Sequence, residues 1–201
     1  ADVYKRQPYE KYLQPTAYRR PPNPAMRPTH NLIISELKRS KEPYLHKYQK
    51  DSGSDTERWV YDVPIWVAVE ALSFGTLSKA ISFRNDHNQV YATTCSILGV
   101  KKQYLARQLR SFTFVRNKCA HSARLWNSFV LDQPAVSNAT KRRAEKVLGQ
   151  NYGENSLLAV IVALDNFLFL TNSWVGFLDE YMKLVERNPD FHRGIANPRH
   201  S

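Results

Sequence analysis

Residues able to move protons and grip phosphate gather in one short run: Arg116, Asn117, Lys118, Cys119, Ala120, His121, Ser122, Ala123, Arg124, Leu125, Trp126 and Asn127. Histidine exchanges protons near neutral pH, so His121 is suited to take the proton of an RNA 2′-hydroxyl or to donate one to a leaving oxygen. Arginine offers a fork of donors to a phosphate that gains charge in the transition state. Asn117 can orient the imidazole or bind an oxygen. Together the set suits phosphodiester cleavage in RNA. Spacing qualifies that reading. Asn117 and His121 face one way on a helix, and Arg124 joins them if the helix continues another turn. Arg116 and His121 lie about 140° apart around an ideal helix. They can share one substrate only if the helix loosens near His121, or if a second copy supplies the missing residue. A lone histidine in a basic helix is more often structural than catalytic, so the residues alone leave both roles open.

This chemistry requires no metal or other cofactor, and no ligand set stands out. Cys119 and His121 lack partners, and Cys95 is isolated. Two cysteines exclude both a disulfide framework and a four-thiolate zinc site. The longest apolar stretch, Leu157 to Leu170, is interrupted by Asp165 and Asn166 and falls short of the ~20 residues a membrane span needs. Residues 1–20 are basic and Tyr-rich, without the apolar run of a secretion signal. A soluble, cytoplasmic protein with no membrane partner is expected.

The formal charge of +11 is uneven. Residues 1–60 carry 12 basic and 7 acidic side chains, residues 61–130 carry 9 and 3, and residues 131–201 carry 8 of each. No acidic residue occurs between Asp86 and Asp132, a gap that contains Lys101, Lys102, Arg107, Arg110, Arg116, Lys118 and Arg124. A solvated face normally mixes both signs, whereas a single-signed one attracts polyanions. RNA is therefore the expected partner, with Lys101, Lys102, Arg107, Arg110 and Lys118 as its binding residues.

Helices must position these groups. With 42% apolar residues the chain can build a core, and it shows no sustained period-two alternation, so an all-α bundle is expected. Ala1 to Gln7 resembles translated adapter sequence, and six prolines between Pro8 and Pro28 suggest an extended arm over residues 1–30. A helical domain is expected over 31–188 and a tail over 189–201. Within that domain, short helices are expected at Asn31 to Arg39 and Pro43 to Lys50, followed by a loop at Asp51 to Asp55. Longer ones are expected from Pro64 to about Phe83, from His87 to Leu98, from Val100 to about His121, from Glu154 to Leu170 and from Ser173 to Arg187. Leu131 to Thr140 reads as irregular. The Pro64–Phe83 segment is apolar nearly all round, which predicts burial, yet it carries Glu70. Arg116 projects near the middle of the stripe formed by Leu105, Leu109, Phe112, Val115 and Cys119. A buried Glu70–Arg116 pair would reconcile the two.

The pattern Arg-Asn-x-x-x-His resembles the signature of the HEPN superfamily. The blocks from Val63 to Ser78 and from Val115 to Asn127, with the turn from Ser40 to Tyr44 followed by His46 and Tyr48, closely resemble the Abi-like (abortive infection) proteins of bacteria. The likeness covers roughly Asn31 to Leu184. It implies an all-α fold, phage defence, and toxin-like growth arrest through RNA cleavage. It further implies a homodimer in which two Arg–His motifs form one cleft without metal, leaving 2′,3′-cyclic phosphate and 5′-hydroxyl ends. Carried over, Arg116 and His121 form the catalytic pair and Asn117 supports them. Glu70, Arg124, Trp126 and Asn127 match the blocks as supporting positions, the last three without a firm role. His121 is not followed two residues later by the tyrosine that marks HEPN toxins paired with nucleotidyltransferases. The resemblance also leaves room for a non-catalytic protein that holds a structured, non-coding or guide-like RNA. A helical DNA-binding regulator fits less well, because no short turn presents an exposed recognition helix.

Overall fold

The computed structural model describes residues 9–51 and 58–199. Residues 1–7 and, beyond Asp51, the expected loop lie outside them. Ten α-helices and no β-strand occur among the described residues, so the chain is all-α. One isolated bridge pairs Tyr18 with Arg84. No helix among these residues is long and apolar enough to cross a membrane. The chain divides into two compact units, residues 1–91 and 92–201.

The first unit contains α1 (Thr29–Arg39), α2 (His46–Asp51), α3 (Ile65–Ala71) and α4 (Phe74–Ser82); α5 (Gln89–Ile97) spans the division. The proline-rich segment is no extended arm. Its prolines forbid a long helix but not short 3-10 turns, which occupy Tyr9–Leu13 and Pro15–Ala17. These turns bring Tyr12, Leu13 and Tyr18 into a core with Ile33, Leu37, Leu45, Trp59 and Val60. The Tyr12 hydroxyl donates to the Val63 carbonyl at 2.8 Å, which satisfies its one buried polar atom.

The single helix expected from Pro64 breaks at Leu72 and Ser73, and a new cap is the cause. The Ser73 hydroxyl accepts the Thr76 N–H at 3.2 Å and starts α4. Glu36 of α1 secures the break by accepting the Ser73 N–H (2.7 Å), the Ser73 hydroxyl (2.8 Å) and the Thr76 hydroxyl (2.7 Å). The apolar run is therefore not wholly buried. Ile65 is 46% and Trp66 58% exposed, and Glu70 on the same short helix is exposed too.

The second unit contains α6 (Lys102–Ala120), α7 (Asn138–Leu148), α8 (Leu157–Leu170), α9 (Phe177–Val185) and α10 (Pro189–Ala196). Helix α8 has no polar face and serves as the hub, touching α6, α7, α9 and α10. Leu157, Leu158 and Val162 pack with Leu148, Tyr181, Val185 and Ile195. Phe112 meets Phe167 edge-on at 5.6 Å. The two polar interruptions in α8 have partners: Asp165 accepts the Leu178 N–H at 3.0 Å at the start of α9, and Asn166 accepts the Thr140 hydroxyl at 3.1 Å. Two helices differ from expectation. Ser137 caps α7 by accepting the Thr140 N–H, so the irregular stretch ends before Thr140. Pro189 opens α10 instead of beginning a tail, and Ile195 and Ala196 of that helix are buried.

Candidate site at the end of helix α6

Helix α6 buries Leu105, Gln108, Leu109 and Ser111. Gln108 is 1% exposed and reaches the neighbouring loop, its Nε2 donating to the Ala135 carbonyl at 2.7 Å. Phe112 and Val115 are half-buried, and from Arg116 the helix outruns the side chains that cover it. Arg116, Asn117, Cys119 and His121 are all exposed. The projected stripe is real as far as Val115, but Arg116 does not lie on a buried face. Glu70 is also solvated, so the premise of a buried pair fails at both ends. In the first unit, slight desolvation and then the charges of Glu42 and Glu70 push the Tyr44 phenol upward.

The end of α6 is built with care. His121 is the capping residue, with φ −100° and ψ 12°. Ser122 takes the left-handed conformation at φ 50°, its N–H donates to the Cys119 carbonyl (3.1 Å), and the Ala123 N–H donates to the Lys118 carbonyl (2.8 Å). That pair of bonds is a Schellman termination made without glycine. The helix thus stops at His121, whose own N–H still donates to the Asn117 carbonyl at 3.0 Å. It does not run on to bring Arg124 round. Instead the Arg124 carbonyl accepts Lys118 Nζ at 3.1 Å and the Ser128 hydroxyl at 2.8 Å.

Arg116 and Asn117 come together, Nη1 donating to Oδ1 at 3.3 Å. The His121 imidazole and the Arg124 guanidinium are exposed and make no hydrogen bond among the described residues. This arrangement offers a proton-exchanging ring, a guanidinium fork and an amide, all open to a large substrate. The basic residues upstream are more committed than their charge suggests. Arg110 pairs with Asp132 at 2.9 Å, and Arg107 donates to the Gln133 carbonyl (3.1 Å) and side chain (3.3 Å). Both hold the loop after residue 130. Lys118 also lies over the Phe114 ring, while Lys101 and Lys102 are exposed at the start of α6.

Sequence reasoning missed the anchoring of the segment beyond the helix. The Trp126 indole lies against Gly194 of α10 and donates to the Asp190 carbonyl at 3.2 Å. Asn127, at φ 54°, donates its N–H to the Gly194 carbonyl (3.1 Å) and accepts the Arg199 N–H on its side chain (2.6 Å). No local signal in the sequence marks it, because Gly194 and Asp190 lie more than sixty residues beyond Trp126.

Among known proteins, no curated sequence and no solved structure matches the chain. A family model for Abi-like proteins matches residues 2–127. The match takes in the buried proline-rich turns and the whole Arg116–Asn127 run, and it ends on the residue that closes onto α10. It covers more than half the chain, which therefore belongs to the Abi-like family.

Proposed function

We propose that this protein is a metal-independent endoribonuclease of an abortive-infection system directed against phage, acting as a homodimer. The observation that carries the reading is the solvent-open group of Arg116, Asn117 and His121 where α6 terminates, inside the family match. In the proposed reaction the His121 imidazole takes the proton of the 2′-hydroxyl. The freed oxygen attacks the adjacent phosphorus, the bond from phosphorus to the 5′-oxygen breaks, and a second imidazole protonates that oxygen. Each copy brings one His121, so base and acid come from two copies, which matches the two-motif cleft implied by the HEPN resemblance. Arg116 holds the phosphoryl oxygens as they gain charge, with its guanidinium steered by Asn117. The products are a 2′,3′-cyclic phosphate and a 5′-hydroxyl.

The experiment incubates the purified full chain with mixed RNAs in EDTA, beside His121→Ala and Arg116→Ala. Removing a group that acts in the transition state costs about 10²–10⁴-fold in rate. Loss on that scale in both variants, with wild-type products carrying cyclic phosphate ends, is expected. Tight RNA binding without cleavage by the wild type would replace the enzyme with an RNA-holding protein. Cleavage by a strictly monomeric species in solution scattering would remove the composite cleft.

A further inference from the structure

The segment from Ser122 to Ser128 is over-determined for an exposed loop. It contains two non-glycine residues at positive φ, Ser122 and Asn127, a conformation disfavoured for a residue with a Cβ, less so for asparagine. Backbone in this state persists only where its surroundings hold it. Here the restraint is bilateral. On one side, Ser122 and Ala123 are bonded back into α6, and Lys118 Nζ holds the Arg124 carbonyl. On the other, Trp126 and Asn127 are fastened to α10 and to Arg199 just beyond it.

Helix α10 is itself firmly seated. Ile195 and Ala196 enter the core of the second unit, and the Gly153 N–H donates to the Ala196 carbonyl at 2.9 Å. Its His192 ring bridges two other elements: Nδ1 lies 2.7 Å from the Tyr181 hydroxyl of α9, and Nε2 meets the Gln150 side-chain amide after α7. Gly194 faces the indole so closely that a Cβ there would fall against Nε1, Cδ1 and Cε2 of Trp126. Only glycine allows this seat.

We propose that α10 is a latch for the candidate site, and that Trp126 and Asn127 are positioning residues fixing the chain that leaves His121. Their purpose is the orientation of His121 at the cap of α6. As a statement about catalysis the proposal rests on the ribonuclease reading; as a statement about structure it does not.

The test uses the isotope-labelled full chain as wild type, Gly194→Ala, Trp126→Ala and the double variant. Amide exchange is followed at Ser122, Ala123 and Asn127, and the ring resonances of His121 are recorded. Gly194→Ala displaces the indole. It is expected to speed exchange at all three amides at least tenfold and to move the His121 ring signals, while α1 in the other unit keeps its protection. Adding Gly194→Ala to Trp126→Ala should change nothing further, because no indole remains to be displaced. Should Gly194→Ala fail to fold, Arg199→Pro removes the N–H that Asn127 accepts, with Arg199→Ala as the control for loss of the side chain, and the same signals should move less. Release of the Asn127 amide without any response at His121, Ser122 or Ala123 would overturn the latch, as would additive effects in the double variant. If the wild type cleaves RNA, Gly194→Ala should lower kcat more than it raises KM. If it cleaves none, the ribonuclease reading fails and the resonances still judge the latch.

Discussion

Arg116 and Glu70 show how far a residue's type can be separated from its surroundings. Both project onto apolar helix faces, and neither face is covered where they stand: α6 outruns its cover after Val115, and α3 leaves Ile65 and Trp66 in solvent beside Glu70. A solvated carboxylate of this kind contributes little, so Glu70→Gln should change stability by less than about 0.5 kcal/mol. Glu36 matters more to the first unit, because it accepts three hydrogen bonds that tie α1 to the start of α4. Hydrogen bonds to a charged group contribute about 1.5–3 kcal/mol each net, and Glu36→Ala should destabilise by at least that much. Urea unfolding of the two variants side by side checks both, and a larger loss in Glu70→Gln than in Glu36→Ala would reverse the assignment. The residue types of the run from Arg116 to Asn127 marked it as a candidate site, and the structure leaves Arg116, Asn117 and His121 exposed. The roles of Trp126 and Asn127 were not legible, because they depend on Gly194, Asp190 and Arg199, more than sixty residues later.

At the scale of elements, periodicity located the long helices to within a few residues and lost the short polar ones. Helix α7 has so many charges that only Ala144 and Leu148 mark its buried side, and α10 was hidden by reading Pro189 as a stop when it was a first-turn residue. The serine caps at Ser73, Ser137 and Ser156 were present in the sequence as signals; each accepts an N–H three residues on. The seat of α10 also carries a pH dependence. Burial lowers the proton affinity of His192 below the usual histidine value near 6.5. The unfolded chain then binds more protons than the folded one as pH falls below about 6.5, so stability is full above that value and declines beneath it. His30, whose affinity burial also lowers, acts in the same direction within the first unit. Melting temperature should therefore drop between pH 7 and pH 5, and His192→Gln should flatten the slope without abolishing it. An unchanged slope in that variant would mean that His192 is protonated freely where it sits.

For the whole molecule, the +11 was the feature most open to reading and the one whose meaning changed most. The acid-free run in the sequence ends at Asp132, yet the fold returns that carboxylate to Arg110 inside the run. Charge counted along the chain thus overstates charge available to a polyanion. If RNA binds around the end of α6, the cations that meet phosphate are those the fold leaves open, Arg116 and Arg124 above all, whereas the Arg110–Asp132 pair contributes no net charge. Each phosphate contact on a single strand contributes about 0.7 to the slope of log affinity against log salt. Arg124→Gln should therefore lower that slope by about 0.7. The double change Arg110→Gln with Asp132→Asn keeps the net charge and should leave the slope as it was. Titrating a fluorescent single-stranded RNA with the His121→Ala protein, so that cleavage does not intervene, measures both. Equal slopes for the wild type and Arg124→Gln would show that RNA does not reach the end of α6, and the excess charge would then have to act from another face of the molecule.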